Sequence, residues 1–66
     1  MTDVRVSISD PDGGGTRWLF RDEATARTFL AERWGITADR ARRLERGHRV
    51  RLWIGGQIVG RWAGTK

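Results

Sequence analysis

No cysteine occurs anywhere in the chain, so neither a disulfide nor a zinc–thiolate site can staple it. Tyrosine is missing too, proline occurs once, and His48 is the only histidine. A lone imidazole cannot build a metal centre, and the acids are too scattered to form a convergent set for acid–base chemistry. No metal, no cofactor, no small-molecule substrate and no enzymatic activity are therefore expected. No apolar run approaches the roughly 18 residues a membrane span needs. The opening MTDVRVS lacks the basic-then-apolar pattern of a secretory signal. A cytoplasmic protein with no membrane partner is the expectation.

What is present must do its work in 66 residues, which predicts one small domain over 1–66. A chain this short hides only about 60% of the surface its unfolded form exposes. Stability must then come from close packing of Trp18, Phe20, Phe29 and Trp34, or from self-association.

Charge is unevenly placed. Residues 1–32 carry four Arg against six acids, whereas residues 33–66 carry nine Lys or Arg against Asp39 and Glu45, for a net charge of +5 overall. That asymmetry suits a polyanionic partner. Twelve of the thirteen cations are arginine, a bias that GC-rich coding also produces on any solvated surface.

Val4, Val6 and Ile8 alternate with Arg5, Ser7 and Ser9, the period of a half-buried strand. Asp10-Pro11-Asp12 and three glycines then predict a turn. A glycine-rich loop cradles phosphate only when a helix N-terminus follows directly. Here the β-prone Thr16-Arg17-Trp18-Leu19-Phe20 follows, so the reading is a hairpin. Asp22 suits a helix N-cap, Ala26, Phe29, Leu30 and Trp34 recur as one apolar stripe, and Gly35 suits the helix end. Thr37 is placed to cap a second helix ending at Gly47, with Ala38, Ala41 and Leu44 as its narrow apolar edge. His48 falls at the junction after it, where a capping role is expected.

Gly55-Gly56 predicts a tight hairpin between two final strands. With a two-residue turn, the preferred reading, Val50, Leu52 and Ile54 share the core face with Arg61, Val59 and Gln57. Trp53, Ile58 and Trp62 then form an outer platform edged by Arg49 and Arg51. A three-residue loop would instead turn Ile58, Gly60 and Trp62 to the core and leave Val59 and Arg61 outside, because one residue of slip reassigns every side chain. In either register Arg49, Arg51 and Trp53 face outward.

Ala31, Gly35, Ala41 and Leu44 fall at a spacing that resembles the motif of winged helix-turn-helix DNA-binding domains, the repressor and excisionase type, over residues 22–62. That resemblance implies a recognition helix over Thr37 to Glu45, with Ala38, Asp39, Arg40, Arg42 and Arg43 near DNA and the last hairpin as a wing. A second arrangement uses the sheet, where outward Trp and Arg offer a surface for stacking bases and holding phosphates. Arg–Trp stacking within the chain, or a homodimer closing the outer face, would use the same residues.

The expected architecture is α+β in the order β-β-α-α-β-β, a four-stranded antiparallel sheet from two hairpins with two short helices on one face. Its core is expected to hold Val4, Val6, Ile8, Phe20, Phe29, Leu30, Trp34, Ile36, Leu44, Val50, Leu52 and Ile54. The expected function is nucleic-acid binding without stringent sequence reading, DNA ahead of RNA. The site is placed on Arg40, Arg42, Arg43 and Arg46 of the second helix with Arg49, Arg51 and Trp53 of the next strand. A protein-interaction module, a small adaptor or inhibitor with an acidic protein as partner, uses the same residue types as hot spots.

Overall fold

A computed structural model describes residues 3–66. Strand β1 (Val4–Ser9) and strand β2 (Gly15–Phe20) form the expected first hairpin. Its turn is closed by the Asp10 N–H donating to the Gly14 carbonyl at 2.8 Å and by the Gly14 N–H donating to the Asp12 carboxylate at 2.9 Å. Helix α1 (Glu23–Trp34) follows. Asp22 caps it by accepting from the Thr25 N–H at 2.7 Å, and Glu23 pairs with Arg27 one turn on. Gly35 ends it at φ 64°, donating its N–H back to the Ala31 and Leu30 carbonyls. Only glycine adopts that left-handed conformation without strain.

Strand β5 (Arg49–Ile54) and strand β6 (Gln57–Ala63) make the last hairpin around Gly55-Gly56. Between the two hairpins lie two short strands, β3 (Ile36–Thr37) and β4 (Arg40–Ala41), paired with each other alone. The main sheet runs β2-β1-β5-β6, all antiparallel, so β1 and β5 are central. Helix α1 covers one face. At twelve residues it is the only helix among the described residues, and no helix is long and apolar enough to cross a membrane.

The core lies between helix and sheet. Val4, Val6, Ala26, Leu30, Trp34, Ile36, Leu44, Val50, Leu52 and Trp62 are buried, with Ile8, Phe20, Phe29 and Ile54 packed against them. Every expected core residue therefore belongs to it. Trp18 joins Phe20, Phe29 and Trp34 in a chain of tilted and edge-on ring contacts with centroids 5.1–5.6 Å apart.

Two expectations need correction. The second helix over Thr37–Arg46 is not formed: Thr37 and Arg40 pair across a two-residue turn in which Ala38 takes φ 54°. Its residues are good helix formers, but a lone ten-residue helix with so narrow an apolar edge gains little by itself, and tertiary contacts decide. Here they favour the irregular path. It buries both Ile36 and Leu44, gives the Arg43 N–H to the Trp34 carbonyl at 2.8 Å, and turns the Ala38 carbonyl to the Trp62 indole at 3.0 Å. His48 accordingly caps no helix; its ring meets Asp10 at 2.9 Å and ties this segment to the first turn.

The second correction concerns register. The turn is two residues long as preferred, pairing Ile54 with Gln57 and Trp53 with Ile58. A bulge then leaves Val59 unpaired, and from Gly60 onward the strand follows the other register, Leu52 with Gly60, Arg51 with Arg61, Val50 with Trp62. One extra residue moves Trp62 into the core and Arg61 out of it. Burying the indole and solvating the guanidinium both favour this outcome.

The Trp62 ring lies over Gly60 so closely that a Cβ there would collide with it. Gly60→Ala should lower the urea unfolding free energy by about 1–3 kcal/mol, the usual cost of overpacking a fitted core. The Asp22 cap gives a pH signature. The Thr25 N–H bond, then the Thr25 side chain and the neighbouring Arg21, hold the Asp22 carboxyl below its ordinary value of 3.8. The stability this adds is fully present above that ordinary value and is lost as pH falls through the lowered one. Asp22→Asn keeps a capping oxygen without the proton, so its urea midpoint should fall less than that of the native chain over the same acid range.

Candidate functional site

Helix α1 leaves the opposite face of the sheet uncovered, and alternation along each strand decides what stands on it. Strand β1 turns out Arg5, Ser7 and Ser9, strand β2 Arg17 and Leu19, and strand β5 Arg49, Arg51 and Trp53. Strand β6 adds Ile58, Arg61 and Ala63. Five arginines thus share this face, and no strand residue turned to it is acidic; Asp3, exposed just before β1 and bonded through its carbonyl to the Gly55 N–H, lies at its end. Among the described residues, none of the five lies within 4 Å of an acidic group.

Their spacing is unfavourable within the chain itself. Arg51 and Arg61 stand directly opposite one another on neighbouring strands, and like charges in that position repel. Arg5 is half-buried, with its guanidinium 4.8 Å from the centre of the Trp53 ring. Its Nε is buried and has no hydrogen-bond partner among the described residues. Trp53 is fixed from a second side by its indole N–H, which donates to the Ser7 hydroxyl at 3.0 Å. Two shallow depressions of about 450 and 380 Å³ lie on the two halves of the face, and Arg51 lines both. Chemically, the surface can neutralise several negative charges and offer a held aromatic ring beside them.

The residues expected to form one site are divided between two sides. Arg49, Arg51 and Trp53 stand together on the open face as expected. Arg40 and Arg42 are exposed at its border, around a depression that meets the face at Ala63. Arg46 is exposed in the loop before β5, its N–H bonded to the Lys66 carbonyl. Arg43 lies on the helix side, its Nη2 donating to the Ala31 carbonyl at 3.1 Å and the Glu32 carbonyl at 2.6 Å. It thereby serves the open carbonyls at the end of α1. Residues 37–45, the recognition helix that the winged helix-turn-helix resemblance implies, are not helical.

Arg5, Arg17 and Arg61 are not among the site residues expected from the sequence. The first two alternate with core residues and so were legible as outward, but only the pairing of β1 with β5 brings them beside Trp53. In a crevice of about 310 Å³ on the helix side, between Trp18, Trp34, Arg43 and His48, two of the polar groups are already engaged, His48 by Asp10 and Arg43 by the helix end.

Arg43→Ala should cost about 1 kcal/mol of stability in urea through the lost carbonyl contacts, while leaving the chemistry of the open face intact. No family model, no curated protein and no solved structure matches the chain.

Proposed function

We propose that this chain is a nucleic-acid-binding module that holds its ligand against the open face of the four-stranded sheet and reads little sequence. The carrying observation is the single sign of that face: Arg5, Arg17, Arg49, Arg51 and Arg61 together, without a carboxylate among them. A solvated sheet face ordinarily mixes charges, and an unrelieved Arg51–Arg61 pair costs stability that a bound anion would return. Phosphate is the anion that arrives in a regular series, and guanidinium binds it in a fixed fork geometry. Trp53 beside the arginines adds a surface for stacking, which is sequence-tolerant because every base has a flat face. Arg40 and Arg42 extend the positive field past β6, with DNA preferred over RNA as the ligand. Arg43 is assigned no part in binding.

Salt dependence tests the reading. Each phosphate neutralised should contribute about −0.9 to the slope of log K against log salt on duplex and about −0.7 on single strands, so four contacts give roughly −3.6 or −2.8. Arg51→Ala should weaken binding and remove about one contact from the slope, whereas Arg43→Ala should leave the slope unchanged. Affinity that is flat in salt would point instead to a protein partner docking through apolar contact on Trp53. Absence of binding to any nucleic acid at micromolar protein would end the proposal.

A further inference from the structure

Two rows of outward side chains cross the sheet at right angles to its strands, and their chemistry differs. Taken in the order β2, β1, β5, β6, one row is Leu19, Arg5, Trp53 and Ile58. The next is Arg17, Ser7, Arg51 and Arg61. Two residues along β2, β1 and β5, and three along the bulged β6, separate them, roughly 6.6 Å. The first row is largely apolar: Leu19 is 78% exposed, and the only charge in it, Arg5, lies stacked on Trp53. The second has no apolar member. A strip of flat and apolar groups therefore runs beside a strip of cations.

Resting on the nucleic-acid reading above, we infer that the ligand is a single strand lying across the β-strands. Its bases pack over the Leu19–Trp53–Ile58 row and its phosphates follow the Arg17–Arg51–Arg61 row. A single strand has this two-sided character, bases on one edge and phosphates on the other. A duplex does not, because its base faces are stacked inside and its outer surface offers an apolar row no comparable contact.

Width argues the same way. Four strands at about 4.8 Å spacing put the Arg17 end and the Arg61 end of the row roughly 14 Å apart. That exceeds the approximately 12 Å width of the major groove, which admits a two-stranded ribbon. A row of this length accommodates roughly two or three bases. Trp53 is set for stacking before the ligand arrives, held by the Ser7 hydroxyl and the Arg5 guanidinium, which lowers the ordering cost of binding. Arg5 keeps its charge unpaired by any carboxylate of the described chain, so it can meet a base carbonyl or phosphate at the seam between the rows.

The test uses the full chain with a short fluorescein-labelled oligothymidine and a labelled duplex of the same length, read by anisotropy and by tryptophan emission. The single strand should bind about tenfold or more tighter than the duplex and quench emission, with the quench lost in Trp53→Phe. Trp53→Ala should weaken single-strand binding by about tenfold or more, the stacking of one base, with Trp53→Phe recovering most of it. Leu19→Glu, at an exposed position that folding tolerates, should weaken the single strand several-fold and keeps the test valid if Trp53→Ala fails to fold. Duplex bound as tightly as the single strand, or binding unaffected by both Leu19→Glu and the Trp53 changes, would overturn the inference while leaving the nucleic-acid reading in place. Failure of both probes to bind would remove that reading and this inference with it.

Discussion

Trp62 folds its ring over Gly60 and gives its indole N–H to the Ala38 carbonyl, and both halves of the molecule take their form from that contact. On the sheet side it requires the strand to change register after Ile58, since otherwise Arg61 would stand in the core opposite Val50. A bulge at Val59 costs a ladder position, but it exchanges a buried guanidinium for a buried indole. On the helix side it requires a free carbonyl at Ala38. A helix continuing through that residue would commit the same carbonyl to its own ladder.

That contact explains which parts of the fold were legible in the sequence. The first hairpin, α1 with its Asp22 cap and Gly35 stop, and the Gly55-Gly56 turn are encoded by neighbours a few residues apart, and all appear as expected. The segment from Thr37 to Arg46 has equally clear local preferences, yet they point to a helix that tertiary contacts override. Arg43 shows why. Its partners are carbonyls of Ala31 and Glu32, twelve and eleven residues earlier, and no periodicity within 37–46 carries that information. The register of β6 was open for a related reason: both registers are used, one on each side of the bulge.

The candidate site was legible only in part. Arg49, Arg51 and Trp53 face outward in either register, so their placement did not depend on the unresolved choice. Arg5 and Arg17 could be assigned to an outer face by alternation, but not to this neighbourhood, because nothing local says that β1 lies between β2 and β5. Arg61 needed the bulge. Arg40, Arg42, Arg43 and Arg46 show the converse, since cations clustered in sequence are dispersed where no helix aligns them.

The same geometry bears on self-association. A twofold dimer that closed the open sheet would be isologous, so each copy would bring the same surface to the contact. Five arginines from one copy would meet five from the other, with no acidic strand residue on either face to separate them and little water left to screen them. Apolar gain from Leu19, Trp53 and Ile58 would have to overcome that repulsion at close range. A polyanion has no such conflict, because it supplies the missing charge while leaving the held indole a flat partner. The like charges of the face thus work against closure by its own copy, and they match the kind of partner proposed above.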